Sequence, residues 1–511
     1  MRVTVIGTGY VGTVTGACLA YLGHRVTCVD TDVSKIEKLR RGQPPIYEPG
    51  LAELIVFANQ NGGIDFETGL DAAVRESDVI FIAVGTPPLP SGESNLAYLE
   101  SAARGIGAAM DSSRFRVVVN KSTVPIGSGN LVEALVREGI LEAQGPPGAV
   151  QTTLGGSPQA LSDAITFGVA SNPEFLREGT AIHDSLYPDR IVVGADDPST
   201  LETMKQLYAP LIQQEFAELS FAPRPANIQR GSAEIPLVAT TITSAEMIKY
   251  SANAFLALKI GFANEMANIC ERVGAEVTEV MTGIGLDWRI GRGFLNAGIG
   301  WGGSCFGKDI SSLLHTAAEY GYQARILEAS LAVNRMQRSV VIQKLQEKLY
   351  ILKGRTIALL GLAFKPNTDD LRDAPSLQIA EKLIQMGARV RAYDPVAMDA
   401  CREQNPNLRI AYCGDALSAA DHADAIVVVT EWPEFAALNL KQLARRMNKA
   451  VLIDGRNLFP PESAREAGFD YAGIGRALNR QPGGAHPGAT HPGSAHTAND
   501  NAKPATAVIS D

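Results

Sequence analysis

A chain of 511 residues is too long for one hydrophobic core, so two or three domains are expected. Its composition, 45% hydrophobic and 20% charged, is that of an ordinary globular protein. A net charge of −9 argues against nucleic acid or an anionic membrane as the main partner, but not against an anionic small molecule held in a local pocket.

Residues 1–6 read as a buried strand, 7–22 as a turn running into a helix, and 25–29 as a second strand ending in Asp30. Apolar runs at 79–84, 117–120, 169–171 and 191–193, with helical stretches between them, predict a parallel sheet covered on both faces. Gly, Pro and polar residues mark irregular inserts near 145–162 and 222–236. From Thr243 the pattern turns helical. Thr243 and Glu246 read as a capping box, helix continues to about Val273 before Gly274, and another long helix covers 326–349. At Arg355 the alternation returns, with strands at 356–360, 389–393, 425–429 and 450–453 and a helix at 374–386. The chain thus reads α/β, then α, then α/β again.

The tail, rich in Gly, Pro, Ala, His and Asn, cannot bury enough apolar surface to offset chain entropy and is expected to be disordered. His486, His491 and His496 lie there, and no metal site is expected of them. The first strand leaves no room for a signal peptide, and no apolar stretch is long enough for a bilayer, so a cytoplasmic location is expected. Cys18, Cys28, Cys270, Cys305, Cys401 and Cys413 form no C-x-x-C pair, which argues against zinc and a thioredoxin-like motif, and a disulfide framework is not expected in a chain this large.

Gly7-Thr8-Gly9-Tyr10-Val11-Gly12 fits G-x-G-x-x-G, follows a strand, opens a helix and has an acid, Asp30, about 20 residues on. The glycines allow a tight turn and close approach of a pyrophosphate to helix N–H groups. Asp30 suits a ribose 2′-OH and would repel a 2′-phosphate, so NAD is expected rather than NADP, with Lys35 near the adenosine. Thr86 in Val84-Gly85-Thr86-Pro87 and Thr123 in Asn120-Lys121-Ser122-Thr123-Val124-Pro125 follow strands, where open parallel sheets bind ligands. They are candidates for cofactor or water contacts, or else ordinary strand-end turns.

The most reactive context is Gly300-Trp301-Gly302-Gly303-Ser304-Cys305-Phe306-Gly307-Lys308-Asp309. Cys305 is either a buried structural thiol or a nucleophile. The glycine-rich turn, the nearby Lys308 favouring a thiolate, and Asp309 one helical turn on favour the nucleophile. In Asn172-Pro173-Glu174-Phe175-Leu176-Arg177-Glu178-Gly179, a helix would put Glu174 and Glu178 on one face, as ligand-holding carboxylates or as a solvated pair. Lys249 and Asn253, four apart on the predicted central helix, would stabilise an oxyanion if they meet a semi-buried site.

Taken in order, these motifs resemble the UDP-glucose/GDP-mannose dehydrogenase family. The carrying residues are the fingerprint at 7–12, Lys121-Ser122-Thr123-Val124-Pro125, the 172–179 segment, Lys249 with Asn253, the cysteine loop, and Phe364-Lys365-Pro366-Asn367-Thr368-Asp369-Asp370-Leu371-Arg372. The resemblance covers about residues 1–475. It implies an α/β fold with two Rossmann-like doubly wound domains joined by an all-helical central section. Residues 1–235 would bind NAD, 236–350 would form a dimerisation core, 351–475 would bind the UDP-sugar, and 476–511 would be the disordered tail. It also implies oxidation of a nucleotide-sugar C6 alcohol to a carboxylate by two NAD+.

By motif, Cys305 would capture the aldehyde, Glu174 assist thioester hydrolysis, Lys249 and Asn253 stabilise the oxyanion, and Asp309 and Thr123 position a water. Glu178 and Lys308 would lie near the nicotinamide, and Arg372 would reach the cofactor. Lys365 and Arg456 would contact the substrate, together with Phe175, Leu176, Arg177 and Gly302. The loop Phe294-Leu295-Asn296-Ala297-Gly298 would line the nucleotide pocket, and Arg289 would act across a homodimer or higher homo-oligomer. The 364–375 stretch is most like the UDP-glucose branch, which makes UDP-glucose the expected substrate; GDP-mannose or a UDP-N-acetylhexosamine is the alternative. A simple alcohol dehydrogenase would have no use for Cys305, and a nucleotide sensor no use for the reactive set.

Overall fold

The computed structural model describes residues 1–89, 93–143, 165–226, 228, 230 and 234–476. The insert at 145–162, the tail with its three histidines and part of the 222–236 insert lie outside them.

The first sheet comprises β1 (Arg2–Ile6), β2 (Arg25–Val29), β3 (Ile64–Glu67), β4 (Val79–Ile82), β5 (Arg116–Asn120), β6 (Phe167–Ser171), β7 (Ile191–Ala195) and β8 (Leu237–Thr240), in the order β3-β2-β1-β4-β5-β6-β7-β8. Its strands are apolar because both faces are covered. In β4, Val79 and Phe81 enter one core while Ile80 and Ile82 enter the opposite one. The second sheet, β9 (Thr356–Leu360), β10 (Arg389–Tyr393), β11 (Ile410–Tyr412), β12 (Ala425–Val428), β13 (Val451–Asp454) and β14 (Asp470–Gly473), runs β11-β10-β9-β12-β13-β14 and is parallel throughout. In each sheet the strand order reverses beside the first strand, which opens a crevice at the carboxyl ends. Both doubly wound units expected from the sequence are present.

Three expectations are corrected. The first sheet is not wholly parallel, because β6 and β7 pair antiparallel, Ala170 facing Ala195 and Ser171 facing Gly194. The link between them stays at the carboxyl end instead of crossing over the sheet, so β7 is fed in from the end where β6 left. Neither β3 nor β8 is among the expected strands: β3 alternates apolar and acidic residues, and the apolar run of β8 is only Leu237 to Ala239 and directly follows the Pro-rich insert. β8 pairs with β7, so the first sheet reaches Thr240, past position 236 where the helical section was expected to begin.

The helices that build the site are α1 (Tyr10–Tyr21), α2 (Ser128–Ala143), α3 (Ala181–Leu186), α4 (Ile242–Val273), α5 (Phe306–Glu319) and α6 (Arg325–Leu349). The third correction concerns the start of α4. Its N-cap is Thr241, whose hydroxyl accepts the Ser244 N–H at 3.2 Å, so Thr243 is already helical. Glu246 closes no box and turns outward to accept the N–H groups of Gly127 at 2.6 Å and Gly129 at 3.0 Å. It therefore caps α2 from a different part of the chain, a partner no local pattern announces. Gly274, at φ 78°, ends α4 as its position suggests. Ala263 and Ala267 of α4 and Val341 and Leu345 of α6 enter the same core as β9, β10 and β12, which joins the central helices to the second sheet.

The fingerprint turn is packed to the limit on one side only. A Cβ at Gly12 would stand 1.8 Å from the Gly7 carbonyl oxygen, whereas one at Gly9 would meet nothing within 4 Å. Gly12→Ala is therefore expected to destabilise the protein by about 3 kcal/mol, the upper end for overpacking, and Gly9→Ala to leave stability unchanged. Urea unfolding midpoints check this, and equal midpoints for the two variants would refute the packing argument.

Candidate active site

Cys305 is the N-cap of α5. The loop before it is gripped by polar side chains projecting from the long helices. Asn264 of α4 accepts the Gly298 N–H at 2.8 Å, and Gln337 of α6 donates to the Gly298 carbonyl at 2.8 Å. Asn334 accepts the Trp301 N–H at 2.8 Å and donates to its carbonyl at 3.1 Å. Arg338 donates to the same carbonyl at 3.0 Å and forks onto Asp373 at 2.7 and 2.8 Å. A Cβ at Gly302 would lie 2.5 Å from the Asp373 carbonyl oxygen, and one at Gly303, where φ is +86°, 2.8 Å from the Phe364 ring. The two glycines let the cysteine loop pass this close to the second α/β unit.

Below Cys305 lies a buried ionic cluster. Lys249 donates to a Glu174 carboxylate oxygen at 2.8 Å and to the Glu174 carbonyl at 2.6 Å, with side chains 6% and 8% exposed. One turn along α4, Asn253 donates to Asp309 at 2.6 Å, and Lys308 pairs with the other Asp309 oxygen at 2.9 Å. Burial opposes the charge on Lys249, but Glu174, Cys305 and Asp309 outweigh it and hold its pKa above the ordinary value. Cys305 is open to solvent, yet protein surrounds the sulfur; burial pushes its thiol up, Glu174 and Asp309 push the same way, and Lys249 opposes them. The expectation that Lys308 favours a thiolate is corrected. Lys308 is paired with Asp309, whereas Lys249, Lys365 and Arg372 are the cations that act on the sulfur, and the balance leaves the thiol pKa above its ordinary value.

The 172–179 segment is an irregular loop, so Glu174 and Glu178 do not share a helical face. Asn172 precedes a proline, which disfavours helix there. Its side chain is also held by Lys121 at 3.0 Å, by the Tyr208 hydroxyl at 2.6 Å and by the Val192 carbonyl at 2.7 Å. Burial is the main reason the Lys121 pKa is lowered to about 8. Glu174 points to Lys249 and also accepts the Leu176 N–H at 3.0 Å, while Glu178 points to the second α/β unit. There Arg372 donates to Glu178 at 3.2 Å and Thr368 donates to it at 3.2 Å. Burial, reinforced by Asp370 and opposed by Arg372, raises the Glu178 pKa to about 7. The Arg177 guanidinium is closed onto Asp184 at 2.7 Å, Phe175 stacks under Arg190 at 3.7 Å, and Leu176 packs against the first core.

The dinucleotide crevice fits NAD. Gly9 caps α1 without a side chain, which leaves first-turn N–H groups clear, and the empty space beside it admits a pyrophosphate. Asp30 accepts the Thr8 N–H at 2.8 Å, the Thr8 hydroxyl at 2.7 Å and the Asp32 N–H at 3.0 Å, with Lys35 at 3.9 Å. Burial acts against its charge but these donors prevail, so the carboxyl sits below its ordinary pKa and keeps lone pairs for ribose hydroxyls. The Thr86 hydroxyl donates to the Thr123 carbonyl at 2.7 Å and ties the two strand-end loops together. Val11 packs into the first core and the Tyr10 hydroxyl turns to Glu48.

The remaining candidates are divided. Lys365 lies over the Phe364 ring at 5.3 Å, and burial lowers its pKa. Arg456 donates to the Val429 and Gly300 carbonyls at 2.7 and 3.1 Å. Leu295 and Ala297 send their side chains into the second core, as alternate residues of a loop laid on a core do, which leaves their backbone to face a ligand. Asn296 is exposed, and Phe294 meets Phe306 edge-on at 6.4 Å. Arg289 sits on an exposed turn with its guanidinium closed onto Asp287 at 2.6 Å. Sequence reasoning missed Glu48 and the polar grip on the cysteine loop. Asn334, Gln337 and Arg338, spaced i, i+3, i+4, were a readable signal of a buried polar face. Among the described residues, no helix is long and apolar enough to cross a membrane and no His/Cys/Asp/Glu group suits a metal ion.

Comparison with known proteins points the same way. The UDP-glucose/GDP-mannose dehydrogenase family's NAD binding domain matches residues 1–212, its central domain 243–336 and its UDP binding domain 358–461. UDP-glucose 6-dehydrogenase TuaD of Bacillus subtilis (strain 168) is 43% identical over 481 residues, 94% of each chain. UDP-glucose 6-dehydrogenase of Rhizobium meliloti (strain 1021) is 43% identical over 480 residues, 93% of this chain and 100% of that one. The solved UDP-glucose dehydrogenase from Pyrobaculum islandicum superposes with a TM-score of 0.79 at 38% identity, covering 93% of this chain and 98% of that one. With all three domain models matched in order, the chain belongs to the UDP-glucose/GDP-mannose dehydrogenase family and is an NAD-dependent oxidoreductase.

Proposed function

We propose that the protein oxidises the C6 alcohol of UDP-glucose to the carboxylate of UDP-glucuronate, with Cys305 as the covalent link between two oxidations. The reading is carried by one observation: an accessible thiol at the head of α5, beside a buried cluster of Glu174, Lys249, Asn253 and Asp309. UDP-glucose is preferred over GDP-mannose or a UDP-N-acetylhexosamine because the relatives with 43% identity are UDP-glucose 6-dehydrogenases.

NAD+ bound along residues 7–12 supplies the hydride acceptor. In the first oxidation, a water held by Asp309 and Thr123 takes the alcohol proton. The Cys305 thiol then loses its proton through the same water to solvent as the sulfur adds to the aldehyde carbon, and Lys249 and Asn253 donate to the oxygen that becomes charged. Loss of a second hydride from this thiohemiacetal leaves a thioester. Glu174 takes a proton from the water that attacks it, and the Cys305 thiolate departs. Covalent capture retains the aldehyde between steps. Glu178, Lys308 and Arg372 would hold the nicotinamide end of the cofactor, and Lys365 and Arg456 would hold the diphosphate or sugar. The first α/β unit is thereby the NAD-binding domain and the second the UDP-sugar-binding domain.

The exposed apolar residues Phe255, Phe262 and Ile269 recur at seven-residue steps on α4, a stripe that suits a second copy of the chain. Arg289 then contributes from the other subunit.

Wild-type protein is expected to form two NADH per UDP-glucose consumed, and Cys305→Ser to release no UDP-glucuronate while still binding NADH. Full four-electron turnover by that variant would exclude the covalent route, and turnover of another nucleotide sugar but not UDP-glucose would exclude the sugar assignment. Lys249→Met is expected to lower kcat about 100- to 1,000-fold. Because Lys249 opposes the upward push on the Cys305 thiol, the pH profile of iodoacetamide alkylation at Cys305 should move to higher pH in that variant; an unmoved profile refutes the assignment. Phe255→Glu/Phe262→Glu is expected to yield monomers by light scattering, and an unchanged mass would place the interface elsewhere.

A further inference from the structure

Glu48 belongs to none of the motifs above, yet it is 6% exposed and sits where three parts of the molecule meet. Its carboxylate accepts the Tyr10 hydroxyl, the Gly179 N–H at 2.6 Å and the Ala181 N–H at 2.7 Å. The Gly179 N–H also reaches the Tyr10 hydroxyl at 3.0 Å. Tyr10 is the first residue of α1, inside the dinucleotide fingerprint. Gly179 ends the loop that carries Glu174 and Glu178, and Ala181 begins α3. Beyond Gly179, a continuous path leads to the second α/β unit. A Cβ at Gly179, where φ is +82°, would lie 2.8 Å from both Cβ and carbonyl oxygen of Asn367, and the neighbouring Glu178 bonds Arg372 and Thr368.

A buried carboxylate that collects three donors is held rigidly, because losing any one of them leaves a charge short of partners in a poorly solvated place. Its position is therefore set jointly by the fingerprint helix and by the loop. A ligand that settles the first turn of α1 settles Tyr10, and through Glu48 it settles Gly179 and the side chains on either side of it.

We propose that Glu48 is a positioning residue that couples occupancy of the dinucleotide crevice to placement of the 174–179 loop, so that the dinucleotide and the nucleotide sugar bind with positive cooperativity. The inference rests on the functional reading above for the identity of the two ligands. Coupling of this kind is reciprocal, and its size is a ratio of dissociation constants, commonly about 5- to 150-fold.

The test measures UDP-glucose binding by calorimetry with and without saturating NADH, a pair that cannot turn over. Wild-type protein is expected to bind UDP-glucose at least about fivefold more tightly with NADH present. In Glu48→Gln and in the milder Tyr10→Phe the ratio should fall to below about twofold, and the double variant should lose no more than either single one, as members of one network do. Tyr10→Phe removes a hydroxyl without disturbing the packing of α1, so it remains informative if Glu48→Gln folds poorly. A wild-type ratio near one, or a wild-type ratio retained in both variants, overturns the coupling. Absence of UDP-glucose turnover by wild-type protein would instead defeat the functional reading, which separates the two failures.

Discussion

The buried pair of Lys249 and Glu174 is the interaction on which the site depends. Two charges removed from water are costly unless each finds a partner and its remaining bonding capacity is met. Here the ammonium meets both the carboxylate and the carbonyl of the same residue, and the second carboxylate oxygen takes a backbone N–H from its own loop. The pair joins the central helix to the irregular segment that leaves β6. It also sets the potential at the Cys305 sulfur, where the lysine and the carboxylate act in opposite senses. Removing either member would leave a buried charge alone beside the thiol.

Around this pair the molecule is arranged as two crevices facing one helical spine. The central helices share a core with the second sheet, while Glu246 grips the start of α2 in the first unit. The two α/β units meet where Gly179 packs on Asn367 and Glu178 bonds Arg372. The cysteine loop runs between them, its peptide groups answered by side chains of α4 and α6 rather than by a sheet or helix of its own. Such a loop can expose a thiol and remain rigid, which the proposed covalent chemistry requires.

The two ends of the second-strand logic show how similar sequences diverge in use. Asp30 closes β2 and Asp394 closes β10 at equivalent places in their sheets. Asp30 is partly exposed, with Thr8 and Asp32 as donors. Asp394 is fully buried and accepts the N–H groups of Leu362, Ala363, Val396 and Ala397 together with the Trp432 indole. One acid keeps capacity for a ribose, whereas the other has spent it on the turn that leads to Lys365.

Much of this was legible in the chain alone. Strand spacing, the glycine fingerprint with Asp30, the long central helix with Lys249 and Asn253 on one face, and Cys305 one turn from Asp309 are all short-range features, set by backbone geometry and side-chain periodicity within a few residues. What stayed hidden depends on partners far apart in sequence. The spacing of Glu174 and Glu178 suits a shared face only if their segment is helical, and spacing says nothing of a proline-led loop pinned by Lys121 and Tyr208. Glu246 was read as a local cap because the amides it serves lie more than a hundred positions away. Glu48 carried no motif, since its meaning comes only from Tyr10 and Gly179 arriving beside it. Periodicity says which groups will be buried; only the packed chain decides which buried charge meets which donor, because that choice is made by whichever pairing leaves no polar group unanswered.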